Sequence, residues 1–196
     1  MVPFDRLDEP QCLKDNAAKW NQEFKALRET DQAAAFSWKG KSRGDILDPL
    51  LRATGNRCAF CDGPVGAESR ETIEHFRPKS RIEFAHLAYA WVNLFPACDM
   101  CQSRKREQWD ELLLKPDLPD YTFERYFVAQ HRTGEIAAAP YASAEEKQRA
   151  EKTIQLYGLN LPARVSQRLR AIRNYPRTPR IPLEDCDYRH FLRDLE

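Results

Sequence analysis

Four cysteines stand in two close pairs, and an acid followed by a histidine lies between the pairs. Cys58 and Cys61 form the first pair, Cys98 and Cys101 form the second, and 36 residues separate the pairs. Thiolates three residues apart can bind one metal ion from a tight turn or a helix start, and two such pairs complete a tetrahedral site. The spacing therefore predicts a structural zinc site that has no open coordination position.

Two alternatives to zinc stay open for these residues: four unconnected structural thiols, or an iron site, which uses the same ligands. The remaining cysteines, Cys12 and Cys186, lie outside the spacing, and we interpret them as small buried or incidental thiols. The metal spacing and the lack of an export signal in the first residues favour reduced thiols in the cytoplasm over disulfides.

Glu74 and His75 are neighbours at the end of a predicted strand over residues 71–76. A histidine can take a proton from water, and a carboxylate can hold a hard divalent ion that polarises a phosphate. Side chains alternate between the two faces of a strand, so both groups can serve one site only if the backbone turns near Pro78. The pair suggests metal-assisted hydrolysis of a phosphodiester.

Glu74, His75, Asn93 and Lys105, placed around the two cysteine pairs, resemble the zinc-supported HNH endonucleases. The resemblance implies an α+β fold with a ββα-metal core, stapled by the four-cysteine zinc site and wrapped by N- and C-terminal helices. It implies that His75 is the general base and that Glu74 binds a catalytic Mg²⁺ or Mn²⁺. Asn93 would orient the loop that carries His75.

Gln102 occupies the last metal position of this resemblance, where the family usually has His or Asn. Glutamine is one methylene longer than asparagine, and its carbonyl oxygen can still bind a hard ion. Asp99 or a water molecule is the alternative occupant of that position.

Longer segments extend the resemblance to one HNH branch, the nuclease subunit PtuB of Septu anti-phage defence systems and of retron-associated relatives. The similarity covers most of residues 5–175 and implies an ATPase partner that is PtuA-like. It implies DNA as the preferred substrate, with RNA possible. The segments that carry it are 58–61, 73–80, 91–94, 159–160 and the acidic-proline start at 9–10.

Basic residues flank the acid–histidine pair. Arg77, Lys79 and Lys105 could contact backbone phosphates, and pairing with neighbouring acids is the alternative. The range 162–180 contains six arginines and no acid. It could contact nucleic acid or an acidic partner, or form an ordinary solvated helix face.

Periodicity and capping residues predict the elements around the site. Helices are expected over about 11–28, 45–53, 97–109, 143–156 and 162–174, and strands over 71–76, 121–128 and 135–138. Residues 82–90 are ambiguous between loop and partial helix. We divide the chain into an N-terminal helical region (1–55), the zinc-stapled core (56–115), a β-hairpin and helical region (116–175) and a Pro-rich tail (176–196).

Composition adds little about function. Of the 196 residues 31% are charged, and no run of 18 apolar residues occurs, so we expect a soluble protein without a membrane span. The net charge of +1 does not favour or exclude a nucleic-acid partner. The competing hypothesis is a zinc-ribbon module that binds nucleic acid or protein without catalysis. Such a module has no use for Glu74, His75 and Asn93 together.

Overall fold

The computed structural model of the chain describes residues 1–40, 42–66, 69–175 and 181–195. The helices are α1 (Gln11–Thr30), α2 (Ser42–Ala53), α3 (Asp99–Lys105), α4 (Phe123–Tyr126), α5 (Ala144–Tyr157), α6 (Pro162–Asn174) and α7 (Arg189–Leu192). The strands are β1 (Glu71–His75), β2 (Leu94–Cys98), β3 (Phe127–Gln130) and β4 (Glu135–Ala138). Short 3₁₀ helices cover Ile82–Leu87, Trp91–Asn93, Leu183–Asp185 and Arg193–Leu195.

The centre of the fold is the antiparallel pair of β1 and β2, which runs directly into α3. Glu71 lies opposite Cys98 at one end of the pair, and His75 lies opposite Leu94 at the other. The second strand alternates its side chains, so Leu94 packs in one core cluster and Phe95 in another. The two strands therefore separate the interior into two packed regions and carry the acid–histidine pair at their edge.

One core cluster surrounds the cysteines, and the other joins α1 and α2 to the strand pair. In the first cluster Phe60 stacks on Tyr157 of α5, with ring centroids 3.9 Å apart. In the second cluster Leu13, Ile46 and Tyr89 are buried. The predicted mixture of helices with a small sheet is confirmed, and helices from both ends of the chain pack around the strand pair.

Local signals gave the helix ends well where capping residues are present. The Ser143 side chain and Glu146 form the expected capping box at the start of α5. Gly158 ends that helix in the left-handed conformation, with φ of 58°. Helix α6 starts at Pro162, as the fixed φ of proline favours.

Three elements differ from the sequence prediction. Helix α3 is shorter than 97–109, because β2 continues to Cys98 and Arg106 takes a positive φ of 50° that ends the helix. The strand predicted over 121–128 begins as helix α4, because the Thr122 side chain accepts a hydrogen bond from the Arg125 amide. The ambiguous stretch 82–90 contains a 3₁₀ helix.

The C-terminal residues pack on the core over the range that the structure describes there. The predicted Pro-rich tail covers 176–196, and its residues 176–180 and 196 lie outside the described residues. Within 181–195 the chain is not a free tail, because Phe191 is fully buried in the cysteine-containing cluster. Arg189 also forms an ion pair with the buried carboxylate of Asp62. The proline spacing gave no hint of these contacts. Among the described residues, no helix has the length and apolar character needed to span a membrane.

Candidate metal centre and active site

The two cysteine pairs meet in one buried cluster. Their four sulfur atoms lie within 4.8 Å of one another. A tetrahedral zinc ion with Zn–S bonds of about 2.3 Å needs sulfur–sulfur distances of about 3.8 Å. The Sγ atoms of Cys61 and Cys98 are 3.8 Å apart, which is the distance of co-ligands and far beyond a disulfide. The four cysteines could therefore hold a zinc ion, as their spacing predicts.

Each pair owes its geometry to a short backbone motif. Cys58 begins a tight turn in which its carbonyl accepts from the Asp62 amide and its amide donates to the Gly63 carbonyl, both at 2.9 Å. Cys98 is the N-cap of α3, and its Sγ accepts from the Cys101 amide at 3.4 Å. Backbone amides directed at sulfur stabilise the thiolate form that binds metal.

Glu74 is buried and paired with a lysine. Lys105 Nζ donates to Glu74 Oε1 at 2.6 Å and to the carbonyl of His75 at 2.9 Å. Burial raises the pKa of Glu74 to about 7, against the opposing effect of the Lys105 charge. The lysine from α3 thus joins the helix to the end of β1 at the position of the candidate metal ligand.

The ring of His75 has a defined tautomer. Its Nε2 lies 2.8 Å from the carbonyl oxygen of Ala88, and a carbonyl can only accept, so Nε2 carries the proton. Nδ1 is then the acceptor, and it lies 3.4 Å from Lys79 Nζ. Burial, followed by the charge of Lys79, lowers the pKa of His75 well below its ordinary value. The ring is therefore neutral, which is the form a general base requires.

The acid and the histidine line the same cavity of about 260 Å³, despite their alternation along β1. Gln102 lines it too, and its Nε2 donates to the Ile73 carbonyl at 3.0 Å, which leaves Oε1 as the free oxygen of the amide. One carboxylate and one amide oxygen are ligands that suit Mg²⁺ or Mn²⁺. Within the described part of the chain, Asp99 does not line this cavity, and its Oδ1 instead accepts from Ser69 Oγ at 2.8 Å.

Asn93 connects the two segments that surround His75. Its Oδ1 accepts from the Arg77 amide at 2.8 Å, and its Nδ2 donates to the carbonyls of Arg77 and Leu87 at 3.0 and 3.1 Å. The Asn93 carbonyl also accepts from the Phe76 amide at 2.9 Å. The side chain is thus a bridge between the loop after His75 and the 3₁₀ helix that leads to Ala88.

Replacing Asn93 by alanine is expected to lower the free energy of unfolding by about 1–3 kcal/mol, because a buried amide and two carbonyls lose their partner. Urea unfolding of the zinc-loaded protein measures this. Val92→Ala is the matched control, since Val92 belongs to the same 3₁₀ helix and is 59% exposed. Equal unfolding midpoints for the two variants would show that the Asn93 bridge adds no stability.

The three basic residues predicted to contact phosphate have different environments. Lys105 is fully buried and paired with Glu74, which favours the alternative of pairing with an acid over contact with a phosphate. Lys79 lines the cavity beside His75. Arg77 is exposed and lies over the rings of Phe84 and Trp109. For Lys79 and Arg77, contact with a phosphate stays a prediction.

The basic range 162–180 does not form a simple solvated face. Arg164 and Arg168 of α6 are buried, with exposures of 3% and 0%. Arg170 and Arg173 are exposed. Arg177 and Arg180 lie outside the described residues.

Sequence reasoning missed an aromatic enclosure around His75, formed by the segment between α1 and α2. Trp38 stacks on the His75 ring with centroids 5.8 Å apart, and Phe36 meets it edge-on at 5.3 Å. Lys79 Nζ lies 4.8 Å from the centre of the Phe36 ring. Two aromatic residues, Phe36 and Trp38, in a short connection between helices were the signal that could have revealed this contact.

A four-cysteine cluster that could hold a zinc ion and a buried acid–histidine pair, on two strands and a helix, define a small α+β protein with a candidate metal site and a polar cavity. Among curated proteins, the chain is similar to the Septu protein PtuB of Bacillus mycoides (strain KBAB4), with 24% identity over 124 residues. The match covers 56% of this chain and 42% of that relative, so it spans less than half the relative's length. No family model matches the chain. The similarity supports a distant PtuB-like relative.

Proposed function

We propose that the chain is a metal-dependent HNH-type endonuclease that hydrolyses phosphodiester bonds, with DNA as the preferred substrate and RNA as the second candidate. One observation carries the proposal. The Ala88 carbonyl fixes the tautomer of His75, so that Nδ1 is a proton acceptor at a cavity shared with Glu74 and Gln102. A neutral imidazole beside an oxygen-rich metal position is the arrangement that water activation requires.

In the proposed mechanism His75 Nδ1 takes a proton from the water that attacks phosphorus. Asn93 keeps the loop of His75 in place through its contacts with Arg77. Lys79 lines the cavity beside Nδ1 and would contact a phosphate oxygen. Glu74 and Gln102 would hold the divalent ion, which supplies stabilisation of the charge that develops on the leaving oxygen. The products carry a 5′-phosphate and a 3′-hydroxyl.

The biological role follows from the similarity to a Septu protein and is part of the proposal. The chain would act as the nuclease component of an anti-phage defence system, in complex with a PtuA-like ATPase. The proposal therefore places the chemistry in this chain and the control of that chemistry in the partner.

The test is cleavage of supercoiled DNA and of RNA, side by side, by the chain co-expressed with a PtuA-like ATPase. With Mg²⁺ or Mn²⁺ present, His75→Ala is expected to reduce the rate by about 10²-fold or more, because the proton acceptor is lost. His86→Ala is the matched control, since His86 is exposed and lies outside the described lining of the cavity. Equal rates for wild type and His75→Ala would remove the assignment.

A non-catalytic zinc module is the second candidate, and the Glu74–Lys105 ion pair favours it, because a buried carboxylate with its own counter-ion can be purely structural. The same experiment separates the two. A complex that binds nucleic acid with equal affinity in the wild type and in His75→Ala, and cleaves neither polymer, would support the module.

A further inference from the structure

Helix α6 packs against the interior of the protein with two arginine side chains. Its two fully buried residues are Arg164 and Arg168, whereas Ala171 and Ile172 are only partly buried. Amphipathic helices ordinarily bury an apolar stripe. Burying two guanidinium groups requires opposite charge or many acceptors close to them. Other groups of the protein must therefore supply opposite charge or acceptors close to these two arginines.

The cysteine cluster supplies it for Arg164. The Nη2 atom of Arg164 lies 3.1 Å from Cys101 Sγ and 3.7 Å from Cys98 Sγ. No carboxylate forms an ion pair with Arg164 among the residues that the structure describes.

The need is mutual. Four thiolates and one Zn²⁺ leave a net charge of −2 in a buried site, where water does not screen it. Arg164 places one positive charge in contact with two of the four sulfurs. Arg168 lies deeper, where its Nη1 donates to the Gly134 carbonyl at 3.1 Å and its guanidinium lies over the Phe191 ring. It therefore relies on neutral acceptors and an aromatic face.

We propose that Arg164 is the counter-charge of the zinc–thiolate centre, and that this contact makes the docking of α6 depend on the bound metal. Without the charged cluster, the guanidinium would be buried without a partner, so α6 would separate from the core. Without the guanidinium, the cluster would release its metal more readily. Outer contacts of this kind set metal affinity by orienting and stabilising the ligands.

Zinc release into a chromophoric chelator tests the first half of the proposal. Arg164→Met keeps a long side chain without charge, and is expected to release zinc about 10-fold faster or more. Arg164→Lys keeps the positive charge on a shorter side chain, and an intermediate rate is expected. Arg173→Met, at an exposed position of the same helix, should behave as wild type.

Hydrogen exchange of the α6 amides tests the second half. In the zinc-loaded protein, the α6 amides of Arg164→Met are expected to exchange faster than those of Arg173→Met, with α5 amides unchanged. If Arg164→Met does not fold, Arg164→Lys carries both measurements. Zinc release and exchange equal to Arg173→Met in whichever variant folds would overturn the proposal. Neither readout uses cleavage, so the result is independent of the proposed nuclease activity.

Discussion

Loss of the bound metal is expected to unfold the chain, and Cys101→Ser should produce the same effect as a chelator. Cys101 is fully buried at the centre of the main core cluster. Zinc bound by small cysteine sites contributes about 10–16 kcal/mol, whereas the net stability of a domain is about 5–15 kcal/mol. The free energy of zinc binding alone is therefore as large as the net stability of a folded domain.

Near-UV circular dichroism and zinc content per chain measure this effect. The matched controls are Cys12→Ser and Cys186→Ser, because neither residue belongs to the four-sulfur cluster. Both controls should keep one zinc ion and the wild-type spectrum. A Cys101→Ser protein with the wild-type spectrum and urea midpoint would contradict a structural role for the cluster. If the purified wild-type protein is coloured and contains iron, the metal bound by the four cysteines is iron and not zinc.

Replacing Lys105 by methionine is expected to lower the free energy of unfolding by about 3–5 kcal/mol, because the buried carboxylate of Glu74 loses its partner. Lys105 is fully buried, and its Nζ also bonds the His75 carbonyl. Urea unfolding of zinc-loaded protein measures the change. Arg104→Met is the matched control, since Arg104 is exposed on the same short helix.

The stability deficit of Lys105→Met is expected to depend on pH. Burial raises the pKa of Glu74 to about 7, above the value of about 4.3 in an unfolded chain. The folded state then binds more protons between these values, so this group lowers stability as pH rises through that window. Without Lys105 the penalty grows, so the deficit of Lys105→Met should be larger at pH 8 than at pH 5.

The double variant Glu74→Gln/Lys105→Met separates lost charge pairing from lost packing. It removes both charges and should recover part of the stability that Lys105→Met loses. A deficit that is the same at both pH values, and unchanged in the double variant, would show that the lysine acts through its packing or its bond to the His75 carbonyl and not through the charge of Glu74.

The sequence predicted those features that depend on short spacing. The cysteine pairs could be recognised because two residues three positions apart meet whenever the chain makes one turn. The start of α5 was predictable because its capping box lies within four residues. The roles proposed for His75, Asn93 and Gln102 came from the family resemblance. They stay predictions, although His75 and Gln102 line one cavity and Asn93 holds the adjacent loop.

Features that depend on contacts between distant segments were not predictable. Lys105 looked like a phosphate ligand, and only the fold shows that α3 directs it to Glu74, 31 positions earlier. Trp38 meets His75 because α1 and α2 place their connection over the strand pair. Arginines without nearby acids left contact with nucleic acid, contact with an acidic partner and a solvated face as interpretations, since nothing local marks sulfur as their partner.

The stacking of Phe60 on Tyr157 means that the segment 56–115 does not bury its own core without helix α5. A fragment that stops near residue 115 would expose the face of Phe60 and leave the cysteine cluster without its guanidinium neighbour. Such a fragment would tend to aggregate. Transfer of this metal centre into another protein would therefore require that α5 and α6 be transferred with it.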